Sequence, residues 1–472
     1  MKSEILYQDA TGLAELIRTR KISPVEVVQA HLDRIEAVNP KVNAIVTVAE
    51  DALRAAKAAE TAVLQGHELG PLHGVPFTVK DSIDTAGVPT QRGSLIFKGR
   101  VPDIDATSVA RMKKAGGILL AKTNLPEFSY SFETVNLLSG RSNNPWDLER
   151  TPGGSSGGES AAIAAGMSPI GLGTDLGNSL RGPAAQTGIV SLKATHGRVP
   201  MTGIWPRAPR RFWHVGPMAR SIRDLALAFS QLCGPDGQDA FATSTVQFDA
   251  GTGYSLLKPH RQLRVGWMVE PGFGPVDPEV VATVEAAVEA LKNVGCLVEP
   301  VRIPALARDF ANDVFNRLHV MEMKREFAEA TAGHHPDGLY KTTTKMLARP
   351  DVSMKDYIDA ELAAERLRDG YAEFFTRYDA LITHVLPIPA HKHGIDALTI
   401  NGQTLDVSYI RGAAVPLNVT GLPGISMRFG TSKEGLPISV QIVSSWQAES
   451  TILHLATMLE SVSPVRGLRP DI

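Results

Sequence analysis

Two hydrophobic periodicities divide the chain. Across residues 1–65 apolar side chains recur at helical spacing: Ser23-Pro24-Val25-Glu26 reads as a capping box with proline at the first helical position, followed by Val28, Leu32 and Ile35 on one face. A second helical pattern covers residues 49–64. From Val75 the texture changes to short apolar runs, namely VPFTVKD, GGILLAKT, SPIGLGTD, RVGWM, CLVEPV, ALITHVL, GISMRFG and SVQIVSS, separated by helical patterns or long loops. This alternation predicts an α/β fold with a largely buried mixed sheet. Residues 234–377 are more charged and mostly helical in pattern (EVVATVEAAVEALKNVG, AELAAERLRDGYAEFF), which predicts a smaller lobe over one side of the sheet. The polar stretch 391–407 reads as a long loop. With no internal repeat, low-complexity tail or flexible linker, residues 1–472 read as a single domain.

Composition narrows the classes. The 48 basic and 50 acidic residues leave a net charge of −2, and 43% of residues are hydrophobic, as in an ordinary globular protein with a large core. No basic stripe stands out, so nucleic acid is not an expected partner. The two cysteines, Cys233 and Cys296, form neither a CxxC nor a metal spacing. That excludes a disulfide scaffold and fits a reducing compartment. The start, MKSEILYQDA, has no apolar run of signal-peptide length, and no window reaches the ~18 apolar residues of a membrane span. The expectation is a cytoplasmic protein with no membrane partner.

Candidate chemistry concentrates in TPGGSSGGESAAIAAGMSPIGLGTDLGNSLRGPAAQTG, residues 151–188, which hold ten glycines and five serines. Glycine-rich turns before an alanine-rich helix can serve close helix–sheet packing alone. No GxxxxGK[ST], GxGxxG or G-x-S-x-G pattern is present, so phosphate cradles and the nucleophile elbow are ruled out. Serine needs an adjacent base to act as a nucleophile. Of the thirteen histidines, His196 lies nearest, but no carboxylate partner is placed beside it and no HExxH spacing indicates a metal. Lysine is the other option. Alternation in VPFTVKDSID puts Thr78 and Lys80 on one strand face, where loss of solvation would lower the lysine's pKa and free its amine as a base. The plainer alternative is that Lys80 pairs with Asp81 or Asp84.

Taken together, these segments resemble the amidase signature family: a GGSSGG turn (153–158), a GTDLGNSLRGPA turn (173–184), and an upstream lysine in VPFTVKD (75–81). LHGVPF, AKTNLPEF, SNNPWDLERTPGGSSGG, VSLKATHGRVP, HVGPMARSIRDLAL, YDALIT, LNVTGLPGIS and GLPISVQIV extend the resemblance over nearly the whole chain. It implies a mixed central β-sheet covered by helices on both faces. Catalysis would need no metal or cofactor: Ser179 as the acylated nucleophile, Ser155 as a relay beside a cis peptide bond, and Lys80 as the base. The backbone N–H groups of Leu176, Gly177, Asn178 and Ser179 would form an oxyanion hole, where one donor can be worth ~3–4 kcal/mol.

The implied activity is hydrolysis of a C–N bond in a small-molecule amide or carbamate, in appearance closest to bacterial solo amidases and urethanases, by a monomer or homodimer. Residues 128–138, including Ser129 as a substrate contact, and the loop 204–213 are the expected pocket walls. Asn178 stands where the family has glycine, which implies a left-handed backbone that asparagine tolerates. Gln186-Thr187-Gly188, Ala194 and Thr383-His384-Val385 depart from the family's FCG, LKPT and TPT without removing a catalytic group. Two rival readings are the amidase component of the tRNA-dependent amidotransferase, whose EASSNLARYDG-like segment is absent here, and a catalytically silent binding protein.

Overall fold

The computed structural model describes residues 2–244, 246, 248, 262–269 and 273–472. All eight apolar runs form strands of one 11-stranded sheet. In chain order its strands are β1 (Ile45–Val48), β2 (Pro76–Lys80), β3 (Ile118–Thr123), β4 (Ile170–Asp175), β5 (Val190–Lys193), β6 (His214–Ala219), β7 (Arg264–Trp267), β8 (Leu297–Pro300), β9 (Ala380–His384), β10 (Gly424–Thr431) and β11 (Pro437–Val443). The spatial order is β1-β3-β2-β4-β6-β5-β10-β11-β9-β7-β8. β3, β2 and β4 run parallel, the middle strands from β4 to β9 pair antiparallel, and β9, β7 and β8 are parallel again. Helices cover both faces, which is why β2, β3, β4 and β11 are buried at every position and read as continuous apolar runs.

The capping box at Ser23 is formed, opening the helix Pro24–Val42. Three details differ from the sequence reading. Residues 1–65 are helical except for β1, which pairs antiparallel at the sheet edge. Residues 234–377 do contribute long helices, Pro278–Asn293, Ala311–Thr331 and Met354–Phe375, but β7 and β8 also extend the main sheet, so this part does not merely lie over it. Finally, 391–407 is not all loop. Ala397–Ile400 pairs with Gln403–Asp406 around a left-handed Asn401-Gly402 turn, and Leu398 and Ile400 are buried.

Candidate active site

β2 and β4 are adjacent and parallel, and their carboxyl ends open on the same edge of the sheet, the usual place for a site in such a fold. Lys80 is the last residue of β2 and is wholly buried. Its Nζ lies 2.6 Å from Ser155 Oγ, 2.8 Å from Thr174 Oγ1 and 3.1 Å from Ser156 Oγ. It pairs with neither Asp81 nor Asp84: Asp81 accepts from Gln91 N, and Asp84 holds Arg100. Burial pushes the Lys80 amine well below the ordinary lysine range, against the opposing pull of Asp175 and Glu159. Three neutral hydroxyls around it compensate desolvation without supplying a charge, so burial shifts the balance toward the neutral amine.

Ser155 and Ser156 end the glycine turn, and the Gly154–Ser155 peptide bond is cis. Ser156 Oγ donates to Thr174 O at 3.2 Å, which ties this hydroxyl to the β4 backbone and leaves Ser155 as the nearer neighbour of Lys80. The packing role of the glycines is also met. A Cβ on Gly158 would lie 2.4 Å from Asn124 O, and Gly153 adopts φ +89° with no room for a side chain beside Pro183.

β4 ends at Asp175, and the turn 176–180 leads into the helix Arg181–Thr187. The Asp175 carboxylate accepts from Leu180 N (3.1 Å), Asn418 Nδ2 (2.8 Å) and Arg181 Nε (3.0 Å), which pins the turn at its base. Burial alone would raise this carboxyl, but Arg181 reverses the effect and holds it below the usual range. Among the described residues, the N–H groups of Leu176, Gly177, Asn178 and Ser179 have no hydrogen-bond partner. Ser179 is half-buried and lines a cavity of about 450 Å³, together with Leu176, Gly177, Asn178 and Ser129. Ser155 and Lys80 do not line this cavity, and no hydrogen bond joins Ser179 to either of them among the described residues.

Asn178 does not adopt the left-handed backbone that its replacement of glycine implied: neither it nor Gly177 has positive φ. The turn instead seats the Asn178 side chain against Gly182, where a Cβ would come within 2.3 Å of its Nδ2. The left-handed residues near the site are Phe128 and Ser129 (φ +56° and +59°), which swing the segment 129–133 along the cavity. Ser129 is buried with its hydroxyl unpartnered. The loop 204–213 is not a wall of this cavity. Arg211 pairs with Glu322 (3.1 Å) and Glu361, Arg210 pairs with Asp239, and Trp205 packs on Phe128, so the loop borders a separate cleft with Arg92 and Asp239. Arg210 and Arg211 are neutralised by carboxylates on other segments.

Among the described residues His196 has no hydrogen-bond partner for either ring nitrogen, and burial drives it down to about 3, so it is neutral and not hydrogen-bonded to the serines. The sequence reading passed over Thr174, Glu159 and the far wall of the cavity. Thr174 and Asp175 lie in the same GTD as the second serine turn, and Glu159 follows GGSSGG directly. Glu159 is buried, accepts from Thr78 and Thr123, and is pushed up to about 7 by burial. The far wall has no motif. It is built by Phe315 from the helix Ala311–Thr331, by Met346, and by Arg411. There the Tyr130 hydroxyl donates to His319 Nε2 (3.1 Å), because Nδ1–H is committed to Phe315 O (2.7 Å). Burial pulls Arg411 down to about 10.

The amidase family model matches residues 26–453. One component of the glutamyl-tRNA(Gln) amidotransferase of Bdellovibrio bacteriovorus is 33% identical over 498 aligned residues, covering 99% of this chain and all of that one. Among solved structures, 6-aminohexanoate cyclic dimer hydrolase superposes with a TM-score of 0.88 at 31% identity over 99% of both chains. A bacterial aryl acylamidase belonging to the amidase signature enzymes superposes at 0.87 with 28% identity, covering 97% of this chain and 96% of its own.

Proposed function

Since the chain belongs to the amidase signature family of hydrolases acting on C–N bonds, we propose that it cleaves small amides or carbamates of the aryl acylamide or urethane type through an acyl-enzyme on Ser179. One observation carries this reading: a buried lysine, depressed by desolvation, sits 2.6 Å from Ser155 and 2.8 Å from Thr174, on the strand whose following turn brings Ser179 to the cavity. Neutral Lys80 takes the Ser155 proton as Ser155 takes that of Ser179, once the Ser179 hydroxyl turns toward it. Ser179 Oγ then adds to the carbonyl carbon, and the oxyanion falls among the unpartnered N–H groups of residues 176–179. The proton returns along the same relay to the leaving nitrogen, the C–N bond breaks, and water, deprotonated by the same route, releases the acyl group. For a carbamate, that group leaves as a carbonate monoester.

The test is a fluorophosphonate probe read by intact mass, followed by a panel of anilides, dicarbamates and primary amides. One adduct on the unmodified chain and none on Ser179→Ala is expected. Labelling that survives Ser179→Ala would place the nucleophile elsewhere, and an unlabelled chain would favour a silent binding protein.

The Bdellovibrio relative supports a second reading, a component of a glutamyl-tRNA(Gln) amidotransferase. The absence of an EASSNLARYDG-like segment speaks against it. Glutamine turnover exceeding that of every anilide and carbamate would reverse the preference.

A further inference from the structure

Arg411 lines the cavity yet is only 6% exposed, and among the described residues it makes no ion pair. Its Nε donates to Asn312 Oδ1 (2.7 Å) and its Nη2 to Asn316 Oδ1 (2.6 Å), both neutral amide oxygens. Phe315 packs against the guanidinium at 4.6 Å and Phe132 at 5.4 Å. Most of the guanidinium's N–H donors therefore have no hydrogen-bond partner among the described residues. Asp406 acts on Arg411 only through space, its carboxylate being engaged with Ser408 N at 2.8 Å, and Arg349 adds a like charge. A guanidinium stays charged in a protein, and a buried cation without a counter-charge is costly. A ligand that supplies the counter-charge removes that cost.

The placement is close to the chemistry. A Cβ on Gly177 would lie 3.7 Å from Arg411 Cδ, so the arginine stem crosses the turn two residues before Ser179. The rest of the lining has the same sign: Arg141, Lys341, Lys345 and Arg349 outnumber Glu133 and Asp396, and Glu133 is already bound to Gly394 N at 2.9 Å.

We propose that the cavity selects compact amides or carbamates bearing a carboxylate a few bonds from the scissile carbonyl, with Arg411 as the specificity-determining residue that grips it. This rests on the cavity being the substrate site of the hydrolysis described above. The planar fork of the guanidinium presents paired donors to the two oxygens of a carboxylate. A volume of about 450 Å³ suits a small substrate.

The experiment is calorimetric titration of the full chain carrying Ser179→Ala, which prevents turnover, with succinamate and its neutral isostere succinamide. Succinamate should bind at least about tenfold tighter, with an advantage that shrinks as salt rises. Adding Arg411→Gln should abolish the preference. Arg411→Lys, which keeps the charge but not the fork, should retain part of it, and carries the test if the glutamine variant does not fold. Equal affinities for the two probes, no detectable binding of succinamate, or a preference that survives the arginine substitution would each overturn the proposal. The two readings fail separately. A preference for succinamate in a protein whose Ser179 never labels sinks the acyl-enzyme and leaves the anion site. A labelled Ser179 without the preference does the reverse.

Discussion

The back wall of the cavity comes from the ends of two neighbouring parallel strands and the glycine turn that meets them, whereas its front wall is assembled from segments as far apart as 129–133, the helix Ala311–Thr331 and Arg411. In the back wall the groups behind the Ser179 turn are held by one another, Lys80 by three hydroxyls, Ser156 by the β4 backbone, and Asp175 by Arg181, Asn418 and Leu180 N, while among the described residues the N–H groups of 176–179 stay open. The front wall sets aromatic side chains and several cations around two buried polar groups with spare capacity, the Ser129 hydroxyl and the Arg411 guanidinium. Saturated hydrogen bonding fixes geometry, as proton transfer between side chains requires. Spare donors and acceptors wait for a ligand. The contrast assigns reaction to one wall and choice of substrate to the other.

The largest effects should therefore come from the back wall and be the same for every substrate. Ser179→Ala should lower kcat by ~10⁴-fold or more, leaving what positioning and the N–H groups supply. Ser155→Ala should cost ~10²–10³-fold, less because a water in the vacated space can pass the proton to Lys80. Ser156→Ala should cost least of the three. Steady-state kinetics on one anilide and one carbamate would measure this. If Ser155→Ala kept the parent kcat while Ser156→Ala lost it, the relay would belong to the wrong serine. Losses that differ widely between the substrates would break the division of labour between the walls.

The two walls also differ in how far the sequence revealed them. Lys80, Ser155 and Ser179 stand in long local motifs, because a strand end or a tight turn into a helix must meet its requirements with consecutive residues. The eight strands were equally plain as short apolar runs, most of them buried at nearly every position, with β7 and β8 partly exposed toward the sheet edge. Three strands escaped notice. β1 is short and edge-placed, β5 is the polar-punctuated VSLK, and β6, HVGPMA, carries glycine and proline inside a sheet. The front wall had no local signature. Phe315, His319 and Arg411 meet there through packing between segments nearly a hundred residues apart, and nothing in their immediate neighbours marks them. The loop 204–213 misled for a related reason: Arg210 and Arg211 have carboxylate partners that only the fold brings near.

A smaller, graded effect concerns pH. Lys80 must be neutral to accept a proton, and its pKa lies well below that of a free lysine, chiefly through burial. Below that pKa, kcat/KM should fall by ~10-fold per pH unit, and above it the rate should level off. Glu159, at about 7, raises the pKa of Lys80 through its charge. Glu159→Gln removes that charge, so the protonated amine loses support and the acid limb should move to lower pH. His196→Ala should leave the profile in place, since His196 is already neutral above about 3. An inflection near 6.5, the ordinary histidine value, that disappears with His196→Ala would transfer the base from lysine to histidine.

The smallest effect is expected at Asn178, where the two walls meet. Had this residue needed the left-handed conformation of the family's glycine, Asn178→Val would have pulled the N–H groups out of line at great cost. Its φ is not positive, so a β-branched residue meets no such backbone barrier. The side chain is 5% exposed, packs against Gly182, and has a buried Oδ1 without a partner. Replacing it by valine removes an unsatisfied oxygen and alters the shape of the cavity edge, but not the direction of the backbone donors. Asn178→Gly and Asn178→Val should therefore both keep kcat within ~10-fold of the parent, the scale of a lost or gained pocket contact, with the change falling on KM and varying with the substrate. The measurement is kcat and KM for both variants on a small and a bulky anilide, with a thermal melt to show that each is folded. A folded Asn178→Val that loses kcat a hundredfold on both substrates, while Asn178→Gly does not, would mean that the turn requires glycine-like freedom during turnover. Asn178 would then belong to the back wall.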